Sequence, residues 1–184
     1  MKNPFLIGTN IYLRALERAD APALVPWFND VEVTRTLAVR RPVNLQGEEE
    51  FLARVYESEH DLVLGIMVTQ DDAFIGVTGL HRMDFQNRHA CFGISIGDTR
   101  AWGNSYGTEA TSLMVQHAFE TLNMNRVWLH VFETNERGIR AYEKVGFQRE
   151  GVLRQEVYRE GRYSNVIVMG VLREEWDTQQ QARQ

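Results

Sequence analysis

The chain has a single cysteine, Cys91, which rules out an internal disulfide and a cysteine metal cluster. No apolar stretch approaches the ~20 residues that a membrane-spanning helix needs. The N-terminal MKNPFLIGTN carries no secretory pattern. The expectation is a cytoplasmic protein without a membrane partner. Positive charge is in deficit, with a formal net charge of -5. Nonspecific nucleic-acid binding needs a basic field, so no nucleic-acid partner is expected. There is no GxxxxGK(S/T) string, and no GxGxxG followed by a ribose-binding acid. A nucleotide P-loop is thereby excluded and a dinucleotide fold is argued against. His81, His89 and His117 show no ligand spacing, so no metal is expected. Internal repeats and linkers are absent as well.

What is present suits one soluble domain. The 184 residues are 43% hydrophobic and 24% charged, enough to bury a core without staples. A single domain over 1–184 is expected, with its core from about 10 to 176. Ile11 and Leu13 alternate with Tyr12 and Arg14 in a strand at 10–16. Asp20 is expected to cap a helix running to Phe28, with Pro22 in its first turn. A short helical piece follows at 31–37, then a helix at 46–58. That helix should bury Phe51, Leu52 and Val55, with Glu48, Glu49, Arg54 and Glu57 on its solvated face. Strands at 61–68 and 73–80 meet at an Asp71-Asp72 hairpin turn, and another strand covers 89–96.

The second half reads as a helix at 106–122, a strand at 126–132 and a helix at 135–145 ended by Gly146. Leu113, Met114, Ala118 and Phe119 form the expected buried stripe of the first of these helices. A strand from Phe147 turns at Gly161 and returns at 163–172. The tail TQQQARQ is polar and expected to fray. This order predicts an α/β (α+β) domain with a mixed, mostly antiparallel sheet. Val166, Ile167, Val168 and Met169 read as an apolar edge strand, with Trp176 beyond it. Such an edge needs a cover, so a homodimer is expected.

The organising stretch is CFGISIGDTRAWGNSY, residues 91–106. A strand runs into a polar turn, then into a small-residue loop, and a helix follows at once. The first turn of a helix offers unpaired N–H donors and about half a positive charge. Glycines let backbone approach an anion closely, and Arg100 adds a cation that can pair with phosphate oxygens.

The spacing Arg100-x-x-Gly103-x-Ser105 resembles the pyrophosphate loop of the GNAT superfamily of N-acetyltransferases, Q/R-x-x-G-x-G/A. Asn135 through Phe147, NERGIRAYEKVGF, resembles that superfamily's N-x-x-A-I-x-x-Y-E-K-x-G-F signature. Asn29-Asp30-Val31-Glu32-Val33 looks like the N-D-P-E-V string of the ribosomal-protein N-terminal acetyltransferase branch, with Val in place of Pro. Gly151-Val152-Leu153-Arg154, followed by Gly161-Arg162-Tyr163-Ser164-Asn165, is similar to the G-x-L-R and G-x-Y-x-(D/N) pattern of that branch and of the polyamine acetyltransferases. The resemblance spans Ile11 to about Trp176.

It implies acetyl-CoA as co-substrate and direct acetyl transfer to an amine. It also implies two central parallel strands that splay apart, with the pantetheine arm along Ile94, Ser95 and Ile96. The pyrophosphate would meet Arg100, Trp102, Gly103, Asn104, Ser105, Tyr106, Gly107 and Thr108, with Asn135 nearby. Ser105 stands where the family has Gly or Ala, which constrains the backbone if that position needs positive φ. Tyr142 matches the family's general acid.

An amine attacks a thioester only when neutral. An alkylamine of pKa ~10.4 is handicapped by roughly 4–5 kcal/mol at pH 7, and a peptide α-amine near ~8 by about 1–1.5 kcal/mol. A proton must therefore leave the amine. His130 stands on the strand position where some relatives carry an acid, Glu32 lies in the acceptor region, and Glu133 ends the strand. A water chain is the remaining route. The expected acceptors are a protein N-terminal amine or a polyamine, with amino sugars and amino antibiotics as alternatives. A non-catalytic acyl-CoA sensor and transfer of a larger acyl group also stay open.

Overall fold

In the computed structural model, which describes residues 1–183, eight strands form one sheet. They are β1 (Pro4–Ile7), β2 (Ile11–Ala15), β3 (Leu62–Val68), β4 (Phe74–Asp84), β5 (His89–Ile96), β6 (Arg126–Phe132), β7 (Gln148–Arg159) and β8 (Arg162–Leu172). Their order across the sheet is β1-β2-β3-β4-β5-β6-β8-β7. Every neighbouring pair is antiparallel except β5 and β6. The helices are α1 (Ala21–Asn29), α2 (Val31–Thr34), α3 (Leu45–Glu57), α4 (Tyr106–Glu120), α5 (Glu136–Val145) and α6 (Arg173–Arg183). This is the mixed, mostly antiparallel α/β domain that the element order predicts. Among the described residues no helix is long and apolar enough to cross a membrane.

Two cores lie on opposite faces of the sheet. Leu64 and Ile66 of β3 join the larger one with Met114, Val115, Ala118 and Phe119 of α4. Val63, of opposite parity, joins Ala21, Leu24, Leu52 and Val55 of α1 and α3. Side chains alternate across a strand, so a strand covered on both sides reads as a continuous apolar run. LVLGIMV is such a run. Each fully buried Leu, Ile, Met or Phe here is worth about 1.5–3 kcal/mol of transfer free energy.

Several local expectations change. Asp20 makes no side-chain cap on α1. Its carboxylate instead takes a two-pronged ion pair from Arg14, at 2.7 and 2.8 Å, and the Glu17 N–H. Glu48 is buried rather than solvated, at 6% exposure, because it lies one turn before Leu52 on the apolar stripe of α3. Leu113 is only partly buried, and Ala110, Thr111, Val115 and His117 complete the buried face of α4.

The tail does not fray: residues 173–183 are α6, and Trp176 is buried against Phe119 with ring centroids 6.2 Å apart. Gln184, the last residue of that expectation, lies outside the described residues. Most consequential, 166–169 is no edge. β8 lies between β6 and β7, so β7 forms the edge and the stated reason for a dimer falls.

Candidate active site

The parallel pair opens where the resemblance places the pantetheine arm. β5 and β6 pair only at His89↔Arg126, Ala90↔Val127 and Cys91↔Trp128. Beyond that point β5 stays with β4 as far as Ile96, while β6 stays with β8 as far as Phe132. The two strands therefore part between residues 92 and 96, and one side of the β5 backbone faces a gap.

A cavity of about 290 Å³ occupies the gap and continues under the loop that follows β5. Ile94, Ser95, Ile96, Trp102, Gly103, Ser105, Tyr106, Gly107 and Thr108 line it, and across it stand Asn135 and Tyr142. All of these were singled out from sequence. The loop is tied down from within, for Trp102 Nε1 donates to the Ile96 carbonyl at 2.9 Å. Gly103 has φ +86, and a Cβ there would meet no protein atom, so this stretch of backbone is open to a ligand. Ser105 has φ +63 and does not cap α4 with its side chain. The first N–H groups of α4 thus lack the capping side chain that would compete with an anion. This is the backbone arrangement a pyrophosphate fits.

Arg100 and Asn104 are not among the residues around the cavity. The Arg100 guanidinium points to solvent and pairs with Asp98, at 3.0 and 2.8 Å. That hydrogen bond holds the Asp98 carboxyl below its usual range. Sequence reasoning missed Arg137, which lines the cavity and stacks over the Trp102 ring, 4.1 Å from its centroid. Arg140 also lines it, paired to Glu136 at 3.1 Å. Arg137 sits in the first turn of α5 and Arg140 near its middle; the helix's N-cap is Asn135, its Oδ1 accepting from the Gly138 N–H at 3.0 Å. The motif's alanine position is Gly138 here.

Tyr142 is partly buried between Phe92 and Phe147, with ring centroids 6.2 and 5.9 Å away. Its hydroxyl has no protein hydrogen-bond partner among the described residues, and burial pushes its pKa up to about 12. It is therefore a protonated donor at neutral pH, facing the cavity.

A second cavity, of about 330 Å³, adjoins the first and shares Leu37, Ile94 and Ser95 with it. α1, α3 and the segment after α2 cover it, and β3, β4 and β5 form its floor. Its walls are apolar, with Phe28, Phe51, Val63 and Val77 among them. The titratable groups facing it are Glu48 and His81. Burial raises the Glu48 pKa, and its Oε2 has no hydrogen-bond partner among the described residues. His81 Nδ1 lies 3.0 Å from Asp61 Oδ1. A Cβ on Gly79 would come 3.0 Å from His81 Nε2, so a floor of bare glycine leaves that nitrogen room. Burial alone would raise the Asp61 carboxyl, but hydrogen bonds from Ser58 and His81 hold it below its usual value.

The three base candidates read from sequence are elsewhere. His130 is exposed on β6, stacked edge-on against Trp128 at 5.1 Å, and lines neither cavity. Burial and the nearby Arg82 charge lower its pKa. Glu32 is exposed on α2 and lines neither cavity. Glu133 accepts from the Asn165 N–H and side-chain amide at 2.8 and 2.9 Å.

Comparison with known proteins finds relatives along most of the chain. A family model described as "Acetyltransferase (GNAT) domain" matches residues 10–148. An uncharacterised N-acetyltransferase, YoaA of Bacillus subtilis, is 29% identical over 92% of this chain and 97% of its own length. A spermidine N(1)-acetyltransferase of Vibrio cholerae is 27% identical over 92% of this chain and 97% of its own. A candidate ribosomal N-acetyltransferase, YdaF of B. subtilis, is 29% identical over 67% of this chain and 66% of its own. The crystal structure of the V. cholerae spermidine N-acetyltransferase in complex with CoA and spermine superposes with a TM-score of 0.85, at 24% identity, over 92% of this chain and 99% of that one.

Proposed function

From the premise that this chain belongs to the GNAT acetyltransferase family, with the acetyl-CoA-dependent N-acetyl transfer that comes with membership, we propose that the acceptor is a primary amine, a protein N-terminus or a polyamine, held in the second cavity and attacking the thioester directly. The observation that carries the reading is the junction of the two cavities at Ile94 and Ser95, with the Tyr142 hydroxyl facing the first and His81 the second.

The proton accounting is simple. The neutral amine nitrogen bonds to the thioester carbon and gives up one proton. The carbon–sulfur bond breaks, and sulfur takes one proton. Tyr142 donates a hydrogen bond to the departing sulfur, and the proton that sulfur finally takes comes from solvent, which also receives the amine proton by way of the base. With its pKa near 12 against ~8.5 for a thiol, complete transfer is uphill. The hydroxyl therefore acts through a hydrogen bond that strengthens as charge gathers on sulfur, an effect worth ~10²–10⁴-fold for general acids. The geometry favours His81 over His130, Glu32 and Glu133 as base. Asp61 fixes its Nδ1–H and leaves Nε2 to receive the amine proton.

A thiol-release assay with acetyl-CoA and a panel of amines tests the reading. Turnover with at least one amine, lost in Tyr142→Phe and reduced in His81→Gln, is the expected result. Tight acetyl-CoA binding without release in the presence of any amine would favour a sensor instead.

The homodimer proposal passes to the β7 edge, where Val152, Leu153 and Tyr158 are exposed. A monomer mass by light scattering at high micromolar concentration would remove it.

A further inference from the structure

The second cavity offers one carboxyl side chain, Glu48, and no ion pair involves it among the described residues. Glu48 is 94% buried by area, being 6% exposed, and its Oε2 has no hydrogen-bond partner among the described residues. A buried carboxylate without a partner is costly, and its position on the apolar stripe of α3 gives it no packing role that a leucine would not fill better. The cost is offset when a cation enters. Most of the surface around it is carbon, with Phe28, Phe51, Val63 and Val77 facing the same space; Thr78, Ser95 and His81 are the other polar side chains there, and no second carboxylate lines it. At about 330 Å³ the cavity lies at the lower end of small-ligand pockets, ~300–1,000 Å³.

We propose that this cavity selects a primary monoamine with an apolar body of side-chain size, an alkyl or aryl group, drawn in by Glu48. A linear polyamine fits poorly, because each ammonium group beyond the first would find no second carboxylate in a mostly apolar lining. An amino sugar fits poorly too, because its hydroxyls would lose water and find few acceptors there. The inference rests on the reading of this site as the acceptor site for a primary amine; within that class it sets the polyamine aside and admits a free monoamine beside the protein N-terminus. A free arylalkylamine and a peptide beginning with an apolar residue share the chemistry described.

The test is a wild-type panel of phenethylamine, a phenylalanyl peptide, spermidine and glucosamine with acetyl-CoA. The better of the first two should exceed spermidine and glucosamine in kcat/KM by about 10-fold or more, the scale of apolar pocket discrimination. Which of the two leads identifies the source of the amine. Glu48→Gln, of nearly equal volume, should lower that kcat/KM by about 10-fold while leaving the acetyl-CoA Kd within about twofold. Spermidine or glucosamine as the better substrate overturns the inference and leaves acetyl transfer standing. If no amine releases thiol, calorimetric titration of phenethylamine into the CoA-bound protein decides. Saturable binding that Glu48→Gln removes upholds the inference while transfer fails, and no binding overturns it. The wild-type panel is decisive even if the variant does not fold.

Discussion

Arg159, on β7, donates through Nη2 to the carbonyl of Val39 at 3.0 Å, across 120 residues of chain. The same guanidinium reaches the carbonyls of Thr34, at 2.6 Å, and Leu37. Leu37 and Val39 line the second cavity, so one side chain holds the segment that covers it. Arg159→Ala should loosen that segment and raise the acceptor KM by about 10-fold, since each charge-assisted hydrogen bond contributes ~1.5–3 kcal/mol before the loop relaxes. Acetyl-CoA affinity should change less. Arg159→Lys should rescue little, because a single ammonium does not reproduce the fork. Initial rates against acceptor concentration, with calorimetry for acetyl-CoA, check this. An unchanged KM would mean that the segment is held by its own packing.

Tyr142→Phe keeps the ring between Phe92 and Phe147 and deletes only the hydroxyl. Turnover should fall ~10²-fold or more, about 2.7 kcal/mol of transition-state stabilisation, with acetyl-CoA affinity little changed. The measurement is single-turnover chemistry beside a melting curve. Full activity in the folded variant would sink the assignment.

Ser105 holds φ +63 without glycine's freedom. Ser105→Gly should relieve ~1–2 kcal/mol of left-handed strain and lose ~0.4–1 kcal/mol to a more flexible unfolded chain. The net expectation is a gain of about 0.5–1 kcal/mol. Ser105→Val should destabilise and weaken acetyl-CoA binding, because a β-branched residue resists positive φ. Denaturant midpoints at equal m-value read both.

Asp98 occupies the Arg100 guanidinium beside the loop that faces the phosphates. Asp98→Asn retains an oxygen for the Arg100 N–H but removes the ion pair and a negative charge. Acetyl-CoA should bind about two- to fivefold more tightly at low salt, and the gain should fade as the Debye length shortens to ~8 Å at physiological ionic strength. Weaker binding in the variant would show that Asp98 positions Arg100 for the phosphate.

Burial raises the Glu48 carboxyl above its ordinary 4.5. A folded-state pKa above the unfolded one means that its favourable contribution is complete below about 4.5 and is lost as pH rises through the folded value. Glu48→Gln should therefore raise Tm at neutral pH and leave it nearly unchanged near pH 4. Melting curves across that range check the sign, and a neutral-pH Tm below wild type would mean that Glu48 has a partner in the free enzyme.

Much of the site was legible because its signals are local. A strand, a glycine loop and a helix N-terminus follow one another within residues 91–108, and Asn135 and Tyr142 are two turns apart on one helix. Glu48 carries a local trace of its burial. It precedes Leu52 by four and Val55 by seven, the spacing of a single helix face, yet the run GEEE suggests solvent. The pairing of His81 with Asp61 left none, because it depends on which strands become neighbours and in what register.

By itself the sequence determined the elements, the anion-binding loop and the tyrosine, since hydrophobic period, capping and glycine placement act over a few residues. Tertiary structure alone decided that β8 is interior, that the tail docks through Trp176, that β5 and β6 part after Cys91, and that Glu48 and His81 face one apolar cavity. Those outcomes follow from strand order and register. They are contacts between residues far apart in the chain, paid for in loop entropy and settled by packing, and no local pattern encodes them.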